Sequence, residues 1–246
     1  MKVHIITSAN RAVYGRELEQ MHRLRHEIFV EELGWTDLWS AEGVERDDFD
    51  DEHAVYLAAI DDGRVQGSLR LLPTWKRCMI TERFPQWADM APVEAGGGVW
   101  EWTRWCPGTT RRPRALIKAR AALIVGALEF ARSRGVETYL TFCETKFLPQ
   151  LVELGWAPEP LGLPRSFDQG SAVAVRWTVR RDHLSAARRL FRMQDTTAFE
   201  APACFDEGRS WDPIALEQRI FGDAPVGGLS EVGPTPLEAM IVQGRA

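Results

Sequence analysis

Apolar residues recur along this chain at two spacings, and together these predict helices interspersed with strands. Spacing of three or four residues, typical of an amphipathic helix, predicts helices over 12–33, 113–134, 146–154 and 182–193. Gly34 and Gly135 follow the first two directly, and glycine is common just past a helix end. The first helix carries a core stripe of Leu18, Met21, Leu24, Ile28 and Phe29.

Short runs rich in β-branched and aromatic residues predict the strands, which cover 3–7, 54–60, 65–72, 99–105, 136–143 and 172–179. The second and third are joined by Asp61-Asp62-Gly63-Arg64, a strong hairpin signal. Residues 73–98 are predicted to be irregular. Strands mixed with helices in this order predict an α/β fold built as a three-layer α-β-α sandwich. No glycine-rich dinucleotide or phosphate loop follows the first strand, which argues against a Rossmann-type enzyme.

Composition narrows the class of protein. The 246 residues are 45% hydrophobic and 26% charged, which is ordinary for a globular chain, and the net charge of −5 offers no global basic field for nucleic acid. No apolar run approaches the ~20 residues of a membrane span, and the amino terminus lacks a signal-peptide pattern. We expect a cytoplasmic protein with reduced thiols and no metal site, because its cysteines lack metal-ligand spacing: Cys78, Cys106, Cys143 and Cys204.

The carboxy-terminal part of the chain differs in character. Proline, glycine and acidic residues increase after about residue 195, and only 212–221 has a helical pattern. We therefore predict one domain over 1–194 and a C-terminal extension over 195–246, open to partial disorder.

The first candidate for chemistry is the predicted strand Val99-Trp100-Glu101-Trp102-Thr103-Arg104-Trp105. A carboxylate among indoles lies in an apolar setting, which raises its pKa and prepares it for proton transfer. The alternative is a sheet core that contains one buried ion pair. Side chains alternate along a strand, so Glu101 and Arg104 face opposite ways unless a bulge intervenes.

Three further features involve charged residues. Arg25 lies on the apolar stripe of the first helix, and Arg70 lies inside a strand, where it must be buried, paired or facing a cleft. The loop 36–53 is rich in acids, but it lacks the regular ligand ladder of an EF-hand. Phe49 interrupts the acids, which suggests that this part packs down and turns some carboxylates inward.

These residues together resemble the acyl-homoserine-lactone synthases, the LuxI-type autoinducer synthases. The match covers residues 1 to about 180 and consists of Arg25-x3-Phe29-x5-Trp35, Asp47-x2-Asp50, Arg70 and Glu101-x2-Arg104. The resemblance implies a GNAT-like splayed mixed sheet with a bulge beside the acyl cleft. It also implies an enzyme of quorum-sensing signal production, with two substrates and no cofactor. S-adenosylmethionine supplies the amine, and an acyl thioester on acyl carrier protein or coenzyme A supplies the acyl group. Lactone closure then releases methylthioadenosine.

The resemblance also implies roles for individual residues. Glu101, Arg104 and Asp47 are the catalytic candidates, with Glu101 as the base, directly or through a water. Phe29 and Trp35 suit the sulfonium and adenine, while Arg25 or Arg104 suits the substrate carboxylate. The implied S-adenosylmethionine site comprises Arg25, Phe29, Trp35, Asp47, Asp50, Arg70 and Arg104. An ion pair of Arg70 with the two aspartates that only shapes the pocket remains an open alternative.

The acyl side of the site is less determined. Its implied pocket comprises Trp102, Thr103, Trp105, Thr141 and Cys143. A basic cluster suits an acidic carrier protein, coenzyme A phosphates or simply solvent, and consists of Arg111, Arg112, Arg114, Lys118 and Arg120. Leu161-Gly162-Leu163-Pro164 resembles the family branch that takes branched or aromatic acyl-coenzyme A, whereas Thr141 stands where many members using 3-oxo donors carry threonine. These cues conflict, so the acyl chain is left open.

Two other functions fit the same pattern. A GNAT-type N-acyltransferase acting on another amine would carry a glycine-rich pyrophosphate loop, which the segment following Arg104 matches poorly. A ligand-binding module on the same fold would bind without turnover and would tolerate the loss of Glu101.

Overall fold

The structure, a computed structural model, describes residues 1–167, 170–202 and 212–216. Nine strands lie in these residues: β1 (Lys2–Ile6), β2 (Val55–Asp61), β3 (Arg64–Pro73), β4 (Val99–Cys106), β5 (Thr138–Glu144), β6 (Glu159–Pro160), β7 (Arg165–Phe167), β8 (Gly170–Thr178) and β9 (Ala198–Glu200). Five α-helices lie in the same described residues: α1 (Gly15–His26), α2 (Met79–Glu82), α3 (Pro113–Arg134), α4 (Leu148–Glu153) and α5 (His183–Leu190). Short 3-10 turns cover Arg11–Tyr14, Thr36–Leu38, Pro85–Trp87 and Thr145–Phe147, and a π-helical turn covers Glu27–Glu32.

The chain divides into two compact units. The first comprises residues 1–70, 104–127 and the described residues from 193 onward, and the second comprises 71–103 and the described residues of 128–192. The chain therefore passes from one unit to the other within β3, within β4 and within α3.

The first unit contains strands in the order β3-β2-β1-β9, with β1 antiparallel to β2 and parallel to β9. The predicted hairpin between β2 and β3 is confirmed, and both central residues, Asp62 and Gly63, have positive φ, of 49° and 66°. That pair of angles is characteristic of a type I′ turn, whose twist matches that of the strands. Helix α3 approaches β1 closely at Gly126, where an added Cβ would lie 2.9 Å from the Val3 side chain.

The second unit contains strands in the order β6-β8-β5-β4, with β7 also paired to β8. Strand β4 runs parallel to β5, and β5 runs antiparallel to β8. Each unit thus contains both parallel and antiparallel pairs, so the predicted mixed sheet is confirmed. The core of this unit is aromatic, with the rings of Trp156 and Trp177 stacked at a centroid distance of 4.0 Å.

Three predictions about the elements need correction. The segment predicted as one helix over 12–33 consists of a 3-10 turn, α1 and the π-helical turn. The hydrogen-bonding pattern of the helix changes at Gly15 and again at Glu27. The segment predicted to be irregular contains α2, a single helical turn too short for periodicity to reveal. Strands β6, β7 and β9 were not predicted, since two or three residues carry no alternation signal.

The predicted C-terminal extension is described only in part. Residues 196–201 bind β1 and its surroundings: the Val3 N–H donates to the Thr197 carbonyl, and the Asn10 side chain donates to the Ala201 carbonyl. Of the helix predicted over 212–221, residues 213–216 are helical. The rest of that helix, Cys204 and the remainder of 195–246 lie outside the described residues, and the domain boundary at 194 stays a prediction. Among the described helices, none combines the length and the hydropathy needed to cross a membrane.

Candidate active site

A cluster of three arginines and three carboxylates lies in the first unit. Its members, called the charge cluster below, are Arg25, Glu45, Asp47, Asp50, Arg70 and Arg104. Helix α1 supplies Arg25, β3 supplies Arg70 and β4 supplies Arg104, while the acidic loop supplies all three carboxylates. The three positive and three negative formal charges cancel, so the cluster as a whole is neutral.

Arg25 is bound entirely within the charge cluster. Its Nε donates to Glu45 Oε2 at 2.5 Å, and its two Nη atoms donate to the two oxygens of Asp50 at 2.8 and 3.0 Å. Its side chain is 1% exposed. Paired arginine–carboxylate bonds of this kind fix orientation as well as charge. The structure therefore gives Arg25 protein carboxylates as partners, although the sequence left it as one of two candidates for the substrate carboxylate.

Arg70 is held in the same way by both aspartates. Its Nη1 and Nη2 donate to the oxygens of Asp47 at 2.5 and 3.0 Å, and Nη1 also lies 2.9 Å from Asp50 Oδ1. Asp50 additionally accepts hydrogen bonds from the Tyr56 hydroxyl and the Asp47 N–H. Burial opposes the charged form of Asp50, but the charges of Arg25 and Arg70 outweigh burial and hold its pKa well below the usual value.

The acidic loop reaches the charge cluster because it folds back on itself. The Asp50 N–H donates to the Asp47 carbonyl, and the Phe49 N–H donates to Asp47 Oδ1 at 2.9 Å. Phe49 is buried, so the prediction that it packs down and turns carboxylates inward is confirmed. Asp47 has a lowered pKa, since the hydrogen bond and charge of Arg70, together with Arg104, outweigh the effect of burial.

Arg104 lies at an irregular point of β4. Its φ is 50°, in the left-handed region, which costs a residue with a Cβ roughly 1–2 kcal/mol. A positive φ is unusual within a strand, and the bulge that the sequence calls for if Glu101 and Arg104 serve one site stays a prediction. Its Nε donates to Glu45 Oε1 at 3.1 Å, and its Nη2 lies 2.6 Å from Asp47 Oδ2. Arg104 and Asp47, with side chains 12% and 18% exposed, are the most accessible members of the charge cluster.

An aromatic pair borders the charge cluster. The rings of Phe29 and Trp35 are stacked at a centroid distance of 5.1 Å and an interplanar angle of 6°. The backbone explains the stack: Gly34 has a φ of 71°, which turns the chain, and the Trp35 N–H then donates to the Phe29 carbonyl at 2.8 Å. The Arg104 guanidinium lies over the Phe29 ring, 5.7 Å from its centroid. Two of the predicted aromatic residues are thus brought together with a predicted arginine.

Sequence reasoning missed two members of this site. Glu45 bridges Arg25 and Arg104, and Tyr56 donates to Asp50, yet neither was a candidate. Only the inward turn of the loop at Phe49 hinted at carboxylates beyond Asp47 and Asp50, and nothing in the spacing of the acids distinguished Glu45.

Glu101 lies in the second unit and is bound by backbone donors. Its Oε2 accepts a hydrogen bond from the Met79 N–H at 2.6 Å, and its Oε1 accepts one from the Ile80 N–H at 3.0 Å. These two residues begin α2, where backbone N–H groups have no partner within the helix. The Glu101 carboxylate therefore anchors the start of α2. Burial, then the charge of Glu101, raises the pKa of the neighbouring Cys78 thiol to about 12.

Four of the five implied acyl-pocket residues, all except Trp105, lie with Glu101 in the second unit. Trp102 makes edge contacts with Tyr139 and Trp156, and the Thr141 hydroxyl donates to the Trp102 carbonyl at 3.1 Å. Burial raises the pKa of the Cys143 thiol to about 12, so it is a thiol rather than a thiolate at neutral pH.

The two remaining acyl-pocket candidates have different surroundings. Thr103 lies on β4 in the second unit and is partly exposed. Trp105 lies in the first unit, where the Arg120 guanidinium is 6.0 Å from its ring centroid.

A second group of side chains in the second unit surrounds Leu161. It is an apolar cluster of Cys78, Ile80, Leu140, Leu161 and Ala174. Phe142 packs against it and is stacked on Phe84 and edge-on to Trp87. Gly162 is required beside it, because a Cβ there would lie 2.4 Å from the Trp87 carbonyl oxygen.

The predicted basic cluster divides into three parts. Arg111 and Arg112 lie within 3.9 Å of Glu27 or Glu31 on the π-helical turn. Arg120 is buried against Trp105, as described above. The other two members are exposed, and no carboxylate of the described residues pairs with them: Arg114 and Lys118. In the part of the chain that the structure describes, no group of three or more His, Cys, Asp or Glu side chains is arranged to hold a metal ion.

Comparisons with known proteins extend this description. Residues 10–187 match a family model described as autoinducer synthase. The isovaleryl-homoserine lactone synthase of Bradyrhizobium diazoefficiens is 38% identical over 182 residues, which make up 74% of this chain and 82% of that protein. A solved structure of a CoA-dependent acyl-homoserine lactone synthase, BjaI, with SAM and isopentyl-CoA is 32% identical and has a TM-score of 0.76, covering 89% of this chain and 99% of that chain. A second solved structure, of the CoA-dependent acyl-homoserine lactone synthase MesI, is 30% identical and has a TM-score of 0.70. It covers 80% of this chain and 98% of that chain.

Proposed function

This chain belongs to the autoinducer synthase family, and we propose that its charge cluster binds the amino-acid end of S-adenosylmethionine. The chain is an acyl-homoserine-lactone synthase, an acyltransferase of quorum-sensing signal production, and the predicted GNAT-like α/β fold is confirmed. One observation carries the assignment of the site: the two most accessible members of the cluster, Arg104 and Asp47, have opposite charges and are in contact. The amino-acid end of S-adenosylmethionine is a zwitterion, whose carboxylate and ammonium group carry the charges opposite to those of Arg104 and Asp47.

The remaining geometry supports the same substrate. Arg104 offers guanidinium donors to the substrate carboxylate, and Asp47 offers an acceptor to its ammonium group. The stacked rings of Phe29 and Trp35 offer π faces to the sulfonium and a platform to the adenine. Arg25 and Arg70 hold the carboxylates of the charge cluster in place. Arg25 donates to Glu45 and Asp50, and Arg70 donates to Asp47 and lies against Asp50.

We assign the acyl donor to coenzyme A with a short branched acyl group. The support is the 38% identical isovaleryl-homoserine lactone synthase and the solved relative with isopentyl-CoA. Arg114 and Lys118 are exposed cations suited to phosphate groups. The Thr141 hydroxyl is engaged by the Trp102 carbonyl, which weakens the cue for a 3-oxo donor. With these substrates we propose that the reaction takes place in the cytoplasm, in keeping with the reduced thiols of Cys78, Cys106 and Cys143.

The chemistry requires one base and two displacements. The ammonium of S-adenosylmethionine gives up a proton, for which Glu101 is the proposed acceptor, because a carboxylate can serve as a general base. The amine nitrogen attacks the thioester carbonyl carbon, the C–S bond breaks, and coenzyme A leaves as a thiolate that takes up a proton. The carboxylate oxygen of the acylated product then attacks its own γ-carbon. The bond between the γ-carbon and the sulfonium sulfur breaks, and its electrons leave with the sulfur of methylthioadenosine, which becomes neutral.

The test is to incubate the purified chain with S-adenosylmethionine and either isovaleryl-CoA, straight-chain acyl-CoA or acyl carrier protein carrying the same groups. We expect equal amounts of methylthioadenosine and acyl-homoserine lactone, formed fastest from isovaleryl-CoA, as followed by mass spectrometry. Release of coenzyme A without methylthioadenosine, dependent on a second amine added in place of S-adenosylmethionine and accompanied by the corresponding amide, would instead indicate an N-acyltransferase acting on another amine. Turnover only with acyl carrier protein would overturn the assignment of the carrier.

A further inference from the structure

Glu45 is the one carboxylate of the charge cluster that touches both Arg25 and Arg104. Its Oε2 accepts from Arg25 Nε at 2.5 Å, and its Oε1 lies 3.0–3.1 Å from Arg104 Nη2 and Nε. Its side chain is 1% exposed, so a substrate has little access to it. Glu45 therefore bridges the buried Arg25 and the more accessible Arg104, with one carboxylate oxygen bound to each.

His22 fixes the backbone of Glu45. The Glu45 N–H donates to the His22 carbonyl at 3.0 Å, and His22 Nδ1 lies 2.9 Å from the Glu45 carbonyl. A carbonyl can only accept, so Nδ1 carries the hydrogen. His22 is buried on α1 against the edge of the Tyr56 ring. Glu45 belongs to no helix or strand, so these reciprocal bonds supply the local order that regular structure would otherwise give.

Arg104 needs such a support. Its backbone has the unfavourable φ of 50°, and long arginine side chains lose considerable rotamer entropy when they are held in one position. Asp47 is its other carboxylate partner, but Asp47 is also bound bidentately by Arg70 and is proposed to receive the substrate ammonium. Glu45 alone combines contact with Arg104 and burial away from the substrate.

We propose that Glu45 is a positioning residue for the synthase reaction: it holds the Arg104 guanidinium ready for the substrate carboxylate, and His22 holds Glu45. The inference rests on the proposed function of Arg104. It assigns Glu45 no contact with substrate. Its effect on S-adenosylmethionine must therefore pass through Arg104 and disappear when Arg104 is removed.

The experiment is a double-mutant cycle on the full chain, with the Kd for S-adenosylmethionine measured by calorimetry. We expect Glu45→Gln to raise that Kd at least tenfold, because the substituted amide replaces one acceptor with a donor facing an arginine. In the Arg104→Ala background, Glu45→Gln should change the Kd by less than twofold. Glu45→Asp, which keeps the charge at shorter reach, should fall between the parent and Glu45→Gln. The matched control is Glu42→Gln, an exposed acid of the same loop, which should leave the Kd unchanged.

Each outcome decides one point. An unchanged Kd in folded Glu45→Gln, or an equal increase with and without Arg104, overturns the positioning role. An unchanged Kd in Arg104→Ala overturns instead the proposed function of Arg104. If Glu45→Gln does not fold, Glu45→Asp and His22→Asn replace it, and a Kd within twofold of the parent in both overturns the proposal. The KM for acyl-CoA provides the readout that a general loss of structure would move, and we expect it to stay within twofold.

Discussion

The replacement Glu101→Gln is expected to affect both stability and turnover. Both carboxylate oxygens accept backbone N–H groups, from Met79 at 2.6 Å and from Ile80 at 3.0 Å. A glutamine offers one oxygen and one NH2 group, so one of these buried N–H groups loses its acceptor and faces a donor instead. Glutamine is therefore not a silent replacement for Glu101, although from the sequence alone it keeps the shape of the side chain.

The structure sets the size of the effect. A hydrogen bond to a charged group contributes about 1.5–3 kcal/mol, and a buried donor left without a partner costs about 1–3 kcal/mol. These terms overlap, so we expect a loss of roughly 2–4 kcal/mol in the free energy of unfolding. For a chain of this size that corresponds to a fall in Tm of roughly 5–15 °C. Loss of the base should separately lower turnover by about 10²–10⁴-fold.

The two effects are measured apart. Thermal melts of the parent, Glu101→Gln and Glu101→Asp report the anchoring of α2, and single-turnover release of methylthioadenosine across pH reports the base. Glu153→Gln, an exposed acid of the second unit, is the matched control and should match the parent in both assays. A Tm for Glu101→Gln within about 1 °C of the parent would refute the anchoring argument. Turnover within a few-fold of the parent at each pH would show that Glu101 is not the base.

Three further predictions concern the first unit. Trp35→Ala removes a stacking partner worth about 0.5–1.5 kcal/mol and should raise the Kd for S-adenosylmethionine roughly 2–10-fold in calorimetry, whereas a large fall in Tm at unchanged Kd would make Trp35 a core residue only. Charge reversal of Arg114 and Lys118 to glutamate should raise the KM for acyl-CoA several-fold, less so at high salt, and spare the KM for S-adenosylmethionine; equal KM values would make these cations a solvated face. His22 has a pKa lowered to about 4 by burial and by Arg25, so the unfolded chain binds more protons between pH 6.5 and 4. Stability should fall by up to about 3 kcal/mol as the pH drops through that window, and urea unfolding of His22→Asn should show a shallower dependence; identical dependence would contradict this reasoning.

The sequence predicted the long elements well because their patterns are local. The hairpin at Asp62-Gly63 and the long helix α3 follow from turn chemistry and apolar spacing. The change to a π-helical turn at Glu27 and the pairing of β9 with β1 depend on contacts with distant parts of the chain, which no local pattern carries.

The site shows the same division. Residue types at family spacing made Arg25, Phe29 and Arg104 candidates for the site, but spacing says nothing about which charge pairs with which. Arg104 and Glu45 are separated by 59 positions, and only the folded loop selects Glu45 among its acids. For Glu101, the indoles beside it in sequence were visible, whereas its backbone partners at the start of α2 lie 21 and 22 positions away.

The neutrality of the charge cluster constrains how this sequence can change over generations. Loss of one partner of a buried ion pair costs about 3–5 kcal/mol, a large part of the roughly 5–15 kcal/mol by which a folded protein is stable. Replacing an arginine and its carboxylate together avoids the unpaired charge. Among related sequences, substitutions in the charge cluster should therefore occur in pairs, with Arg25 replaced only where Asp50 or Glu45 is replaced as well. The same logic sets the smallest portable unit for a designer: a graft onto another scaffold has to carry all six charged side chains.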